Sequence, residues 1–227
     1  MIFVLPNLLD ASAVERVASL LSGANFVEGT RTAGRAVAAV KKNTEIKFDS
    51  EAHATCTDIV KEALRASNDF RVVAQPNRIG RVLFSRYTEG MEYGDHSDNA
   101  LMREGGLRTD VAMTLFISDP ADYEGGELVL NTDIRPEPYK LPAGHAVVYP
   151  AMVLHRVNQV TRGERLVGFT WIQSHVRDPQ RRQVLVDLAL ALSHIIDSSP
   201  AGQGYAHPQY LRLDKVYNNL LRMWAEV

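Results

Sequence analysis

A chain of 227 residues, 45% hydrophobic and 23% charged, can bury a full core as one large domain or one domain with a small appendage, which argues against a disordered or fibrous protein. With 25 Lys and Arg against 27 Asp and Glu the net charge is −2, so no basic excess marks a binder of nucleic acid or anionic membrane. The single cysteine, Cys56, excludes an intrachain disulfide framework and any multi-cysteine zinc or iron–sulfur site, and it fits a reducing compartment.

The apolar opening at 1–5 ends at Pro6 and Asn7 and reads as a strand. No basic segment precedes it and no apolar run reaches bilayer-spanning length, so a cytoplasmic chain without a membrane partner is expected. Ser12 and Glu15 stand at capping-box spacing before apolar residues at helical intervals, a helix that Gly23 stops. A second helix is predicted from about Ser50 to Arg65, with Ile59, Val60 and Leu64 on its apolar side and Cys56 as a small buried hydrophobe. From 81 to about 176 short β-rich runs alternate with Gly, Pro, Asn and Asp: 82–87, 111–117, 127–130, 145–149, 153–157 and 166–172. Regular short strands of this kind predict a sandwich or barrel of jelly-roll type rather than βαβ units. Asp178-Pro179 then sets a cap before a first-turn proline, predicting helices over 184–196 and 209–224 with a loop at 198–204 between them. The expected division is a domain over 1–177, with its β core at about 78–177, and a helical C-terminal extension over 178–227. The apolar faces of the extension must bury against the β core or a second subunit, which leaves a homodimer open.

Two of the seven histidines have neighbours that suggest chemistry. In Tyr93-Gly94-Asp95-His96-Ser97-Asp98, residues two apart on an extended segment share a face, so His96 and Asp98 can reach one metal ion. An imidazole and a carboxylate are two of the three ligands of a facial triad, which leaves positions open for substrate and dioxygen. The third ligand should come from a distant strand facing the same interior. His155 is the candidate, although alone it reads equally well as a strand-end histidine. Arg165 then stands at the edge of the mostly apolar run 163–171, where a buried guanidinium needs an anionic partner. Its fork of donors suits a carboxylate, so a dicarboxylic acid gripped end-on is one reading and a surface pair with Glu164 the other. His53, His145, His175, His194 and His207 lack such neighbours and read as structural or surface residues. No Gly-x-Ser-x-Gly and no glycine-rich phosphate loop occurs.

The order His96-x-Asp98, His155, Arg165 is accompanied by Tyr87-Thr88-Glu89-Gly90, by Tyr123-Glu124-Gly125-Gly126-Glu127-Leu128 and by Trp171. This set resembles the prolyl 4-hydroxylase-like Fe(II)/2-oxoglutarate dioxygenases over 81 to about 175. The whole chain is similar to a bacterial branch of them, the PKHD-type hydroxylases, through its Met-Ile start, the segment 94–102 and the helical C-terminal extension. The resemblance implies a mainly β fold with flanking helices: a double-stranded β-helix (jelly-roll, cupin-like) core, N-terminal helices and the C-terminal extension. It implies Fe(II) held by His96, Asp98 and His155, and 2-oxoglutarate anchored through its distal carboxylate by Arg165. Tyr87, Thr114 and Trp171 are further candidates for the cosubstrate pocket, and Asn99 and Arg156 for substrate contact. The implied reaction consumes O2, hydroxylates a C–H bond and releases succinate and CO2, with ascorbate as auxiliary reductant. The implied substrate is a small molecule or a peptidyl group, with a link to iron uptake, and not nucleic acid. Loops 99–108 and 131–139 are expected at the mouth, where Arg103, Arg108, Arg135 and Lys140 hint at an anionic substrate. The alternatives are a redox-inert zinc hydrolase of cupin type or a non-catalytic sensor at the same His/Asp/His site. Arg165 discriminates, because a hydrolase needs no dicarboxylate clamp.

Overall fold

The computed structural model of the protein describes residues 1–32, 39–102 and 105–226. Among these, eight strands form a large antiparallel sheet in the order Phe3–Leu5, Ala146–Pro150, Val111–Phe116, Arg165–Ser174, Leu83–Tyr87, Thr44–Ile46 and Phe26–Glu28, with Pro76–Ile79 also paired to Arg165–Ser174. Five more form a smaller sheet in the order Pro136–Tyr139, Leu128–Asn131, His155–Val157, Glu92–His96 and Lys41–Lys42. The two sheets meet face to face: Tyr87, Phe116, Val147, Tyr149 and Val167 of the large one pack with Leu128, Leu130 and Val157 of the small one. This is the jelly-roll core with flanking helices expected above.

The strand Val111–Phe116 shows why the run carries no polar alternation. Every one of its residues is buried, because both faces of the large sheet are covered. Val111, Met113 and Leu115 pack beneath the N-terminal helices, while Ala112 and Phe116 face the small sheet. Those helices are α1 (Ala11–Ser22), α2 (Glu51–Ala66) and α3 (Asn68–Ala74). They bury Val17, Leu21, Cys56, Val60, Leu64 and Phe70 against the sheet. At this thickness of covering, truncating one such side chain to Ala costs about 2–5 kcal/mol.

Some local expectations need correction. The cap of α1 is Asp10, whose Oδ1 accepts the Ala13 N–H at 2.8 Å, and not Ser12. Ser12 already lies inside the first turn. Ser50 caps α2, which starts where the sequence placed the second helix. Helix α3 and the strands Phe26–Glu28, Lys41–Lys42, Thr44–Ile46 and Pro76–Ile79 are short and were not individually legible, since their pairing partners lie far away in the chain. Beyond the core come α4 (Pro179–Ser198), capped by Asp178 with Pro179 in its first turn, and α5 (Pro208–Trp224). Both pack back on this same chain. Arg182 of α4 donates to the Val176 and Arg177 carbonyls at 2.7 and 2.8 Å, Gln75 donates to the Tyr217 hydroxyl at 3.0 Å, and Arg108 pairs with Glu226 at 2.7 Å. Leu190, Leu211 and Met223 stay exposed on the outside of the extension.

Helix α2 is pinned to the large sheet by His53, whose Nε2–H donates to the Val82 carbonyl at 2.9 Å. A carbonyl only accepts, so the proton sits on Nε2 and the ring is held neutral between the edges of Phe48 and Phe84. Burial pushes the His53 pKa below its ordinary value, with Arg81 and Lys61 adding to the effect and the Val82 bond opposing it. The unfolded chain therefore takes up a proton at about 6.5 that the folded chain refuses. The stability tied to this group is present above that pH and lost as pH falls below it. Replacing His53 by Gln is expected to flatten the fall in stability between pH 7 and 5, measured by urea unfolding across pH against the wild type.

Candidate metal and cosubstrate site

The antiparallel pairing of Glu92–His96 with His155–Val157 sets His155 directly opposite His96. Side chains opposite one another in such a pair lie on the same face, and the two imidazole centroids are 4.2 Å apart. Asp98 follows two residues after the end of its strand and returns to the same point, with Oδ1 4.0 Å from His155 Nε2. One ligand atom from each of His96, Asp98 and His155 lies within 4.8 Å of the others, the spacing of donors around one ion.

Each histidine is oriented by the backbone two residues before it. Nδ1–H of His96 donates to the Gly94 carbonyl and Nδ1–H of His155 to the Val153 carbonyl, both at 2.8 Å. This fixes the tautomer and leaves a bare lone pair on each Nε2, the state that a metal ligand requires. Burial pushes the His96 pKa down to about 4, with the neighbouring His155 contributing, so the ring is neutral at ordinary pH. Burial raises the Asp98 carboxyl above its usual range, against the pull of His155 and the Trp171 indole. Its Oδ2 is buried without a hydrogen-bond partner. A desolvated acceptor of this kind is costly to leave alone, and a divalent cation satisfies it. The tyrosine at 93 stacks on His96 at 3.7 Å between ring centroids and closes one side of the triad.

Arg165 begins the long strand of the large sheet and pairs in register with Tyr87. It is 1% exposed, and its Nε and Nη1 have no hydrogen-bond partner. The guanidinium lies 5.1 Å from the Tyr87 ring centroid and 5.6 Å from that of Phe116. Aromatic faces give partial compensation, but a cation so enclosed with free N–H groups is shaped for an incoming anion. The Gly125-Gly126 turn makes room for it. At Gly126, φ is +67° and a Cβ would stand 3.0 Å from Arg165 Cδ, so glycine is required there. Burial pushes the Tyr87 hydroxyl up to about 12, which keeps it protonated as a donor beside Arg165.

The triad and Arg165 open into one cavity of about 1500 Å³. Tyr87, Thr114, Trp171 and Asn99 line it as expected. Arg156 does not. Strand alternation turns it away from His155, and it pairs outside with Asp95 at 3.5 Å and Asn158 at 3.0 Å. The loop 99–108 borders the cavity through Asn99, Ala100, Leu101, Met102 and Leu107, whereas 131–139 supplies no lining residue, because Pro136–Tyr139 is the outer strand of the small sheet. Arg108 is held by Asp110, Glu226 and the Ser174 carbonyl, and Lys140 by the Tyr123 carbonyl and ring. Arg135 lies off the cavity lining and Arg103 outside the described residues. Lining residues that the sequence reading passed over are Tyr93, Tyr149, Lys41 and the α2 stripe His53, Thr57, Lys61. The stripe had a signal, the repeated spacing of four. Lys41 had none, since only the sheet brings its strand beside Glu92–His96.

A model of the 2OG-Fe(II) oxygenase superfamily matches residues 82–173, and a model of the PKHD-type hydroxylase C-terminal domain matches 180–226. A PKHD-type hydroxylase of Gloeothece citriformis is 42% identical over 226 residues, and one of Xanthomonas campestris is 39% identical over 233, each alignment covering 100% of both chains. The chain belongs to the PKHD-type hydroxylases of the 2OG-Fe(II) oxygenase superfamily. Among solved structures, a Pseudomonas putida prolyl-4-hydroxylase superposes with a TM-score of 0.54 at 20% identity, over 76% of this chain and 92% of that one. A viral collagen prolyl hydroxylase in its 2-oxoglutarate complex gives 0.54 at 14% identity, over 76% and 95%. These two share the fold.

Membership of the family makes this an Fe(II)- and 2-oxoglutarate-dependent hydroxylase, not a hydrolase or an inert sensor. The residues present fit the two groups. Two Nε2 lone pairs and a buried carboxylate form a donor set suited to Fe(II), and the unpartnered Arg165 nitrogens suit a carboxylate. Because the ion binds only the folded chain, Co(II) at a hundredfold excess over its dissociation constant should stabilise the protein by about 2.7 kcal/mol. Thermal unfolding with and without Co(II) checks this, and His96→Ala should abolish the shift.

Proposed function

We propose that His96, Asp98 and His155 hold the iron and that Arg165 receives the distal carboxylate of 2-oxoglutarate, with Tyr87, Thr114 and Trp171 completing the cosubstrate pocket. The observation that carries the reading is the meeting, in one cavity, of the three ligand atoms and a buried guanidinium with unpartnered nitrogens. Asn99, at the border of the same cavity, is assigned to substrate contact. Arg156, bonded outside, is not proposed for that role. When bound, Fe(II) with 2-oxoglutarate and O2 supplies the oxidising power to hydroxylate a C–H bond, leaving succinate and CO2. The protein supplies positions and surroundings. The Gly94 and Val153 carbonyls engage Nδ1 of the two rings and leave each Nε2 free, the atoms that would hold the ion. Arg165 would fix one end of the cosubstrate and so orient it. The Tyr87 hydroxyl, kept protonated beside Arg165, is available as a donor to the same pocket. Leu128, Val157 and Val167 give the cavity lining its apolar part.

The proposed substrate is a small molecule, of siderophore type and so tied to iron uptake, or a peptidyl group. A cavity of about 1500 Å³ exceeds the 300–1,000 Å³ usual for a single small ligand, so room remains beyond the cosubstrate. Catalysis is assigned to 1–177 and a supporting role, including a homodimer contact through the exposed Leu190, Leu211 and Met223, to 178–227. A cytoplasmic location and ascorbate as reductant complete the reading; among the described residues no helix is long and apolar enough to cross a membrane.

Two variants separate the poles. His155→Ala should abolish both metal binding and turnover. Arg165→Ala should leave metal affinity unchanged and raise the 2-oxoglutarate dissociation constant about 100-fold, the loss of two charge-assisted bonds. Anaerobic titration reading the Fe(II)–2-oxoglutarate charge-transfer band checks both. Unchanged cosubstrate affinity in Arg165→Ala would refute the assigned clamp.

A further inference from the structure

We infer that Tyr149 is a further cosubstrate-binding residue, its phenol donating a hydrogen bond to the 2-oxo acid end of 2-oxoglutarate beside the metal. The inference deepens the reading of the previous subsection and rests on it.

Strand register is the first observation. Ala112 stands opposite Tyr149 on one neighbouring strand and opposite Trp171 on the other. Residues opposite one another share a face, and all three line the cavity. Adjacent strands run about 4.8 Å apart, so Tyr149 and Trp171 are rooted about 10 Å from each other across one methyl group. The row is a low floor between two large aromatic walls. Thr114, two residues on from Ala112, continues the same face, and Arg165 lies further along the strand that carries Trp171.

The ring of Tyr149 also touches the triad. It meets the His155 imidazole edge to face, with centroids 5.4 Å apart and planes at 66°. The side chain is 4% exposed and belongs to the apolar cluster between the two sheets with Phe116 and Val157, so packing fixes where the ring lies. Across the floor the Trp171 indole acts on the Asp98 carboxyl. The two walls therefore flank the metal end of the cavity. Tyr87 differs, because its strand register sets it opposite Arg165 and so at the distal end.

The groups that act on the phenol complete the picture. Burial raises its pKa above the ordinary tyrosine value, Asp98 and Tyr87 raise it further, and the Thr114 hydroxyl and the Arg165 charge oppose them. Those four groups come from both poles of the site, so the phenol oxygen lies among them. A protonated tyrosine carries one donor. The 2-oxo acid end of the cosubstrate has a carboxylate oxygen and a carbonyl oxygen to be met once Arg165 has taken the other carboxylate. An uncharged O–H suits that end: it bonds the anion strongly in a dry pocket and, while protonated, does not compete for the ion.

The test is Tyr149→Phe, which removes the hydroxyl and keeps the ring against His155. Under anaerobic conditions the variant and the wild type are loaded with Fe(II) and titrated with 2-oxoglutarate. The dissociation constant should rise about tenfold or more, the loss of one hydrogen bond to a charged group. At saturation the maximum of the charge-transfer band should move, because the lost bond was made to the group that receives the electron. Co(II) affinity, read by calorimetry without cosubstrate, should be unchanged. An unaltered dissociation constant overturns the inference. So does weaker binding with an unmoved band, which puts the hydroxyl at the distal end, or an equal loss of Co(II) affinity, which makes Tyr149 a support of His155 alone. A wild type that shows no band with Fe(II) and 2-oxoglutarate would instead overturn the proposed function.

Discussion

The pairing of His155 opposite His96 across two antiparallel strands is the constraint on which the rest of the site depends. In a strand every second residue changes face, so a slip of one position would turn His155 outward and bring Arg156 in. What prevents the slip is the apolar contact around it. Val157 on the same face as His155 is buried with Leu128 and Val160, and Arg156 on the opposite face is engaged by Asp95 and Asn158. The register that buries the apolar residues is therefore the register that assembles the ligands.

Desolvation is the second theme, and it acts with opposite sign on the two poles. At the triad it keeps His96 neutral and raises the Asp98 carboxyl, so that the site is assembled but unsatisfied until a cation supplies the missing charge. At Arg165 it leaves a fixed positive charge with idle donors against aromatic faces, unsatisfied until an anion arrives. A metal ion and a dicarboxylate that bridges both poles relieve the two costs together. The free energy spent in folding these groups into a dry interior is returned on binding, which is a physical account of preorganisation.

The flanking helices do more than cover the sheet. Helix α2 buries Cys56, Val60 and Leu64 on one stripe and offers His53, Thr57 and Lys61 on the next, so one element serves both core and cavity wall. The C-terminal helices are tied to the β core by Arg182, Tyr217 and Glu226 and stand away from the cavity lining.

Much of this was legible in the residues. Alternation of short β-rich runs with turn residues specified the sandwich, because a strand must bury at least one face and each turn needs Gly, Pro, Asn or Asp. Asp178-Pro179 marked a helix start, since a cap is satisfied within one turn of chain. His96, Asp98, His155 and Arg165 were recognisable from their residue types and order. Where they stand in space was not. The convergence of His155 on His96, the turning of Arg156 to the outside and the arrival of Lys41 beside Tyr93 all depend on strand pairing between segments distant in the chain. Local propensity and capping act over a few neighbours and are written in the residue order. Contacts across sheets follow from the burial of the whole core, and only the folded chain decides them.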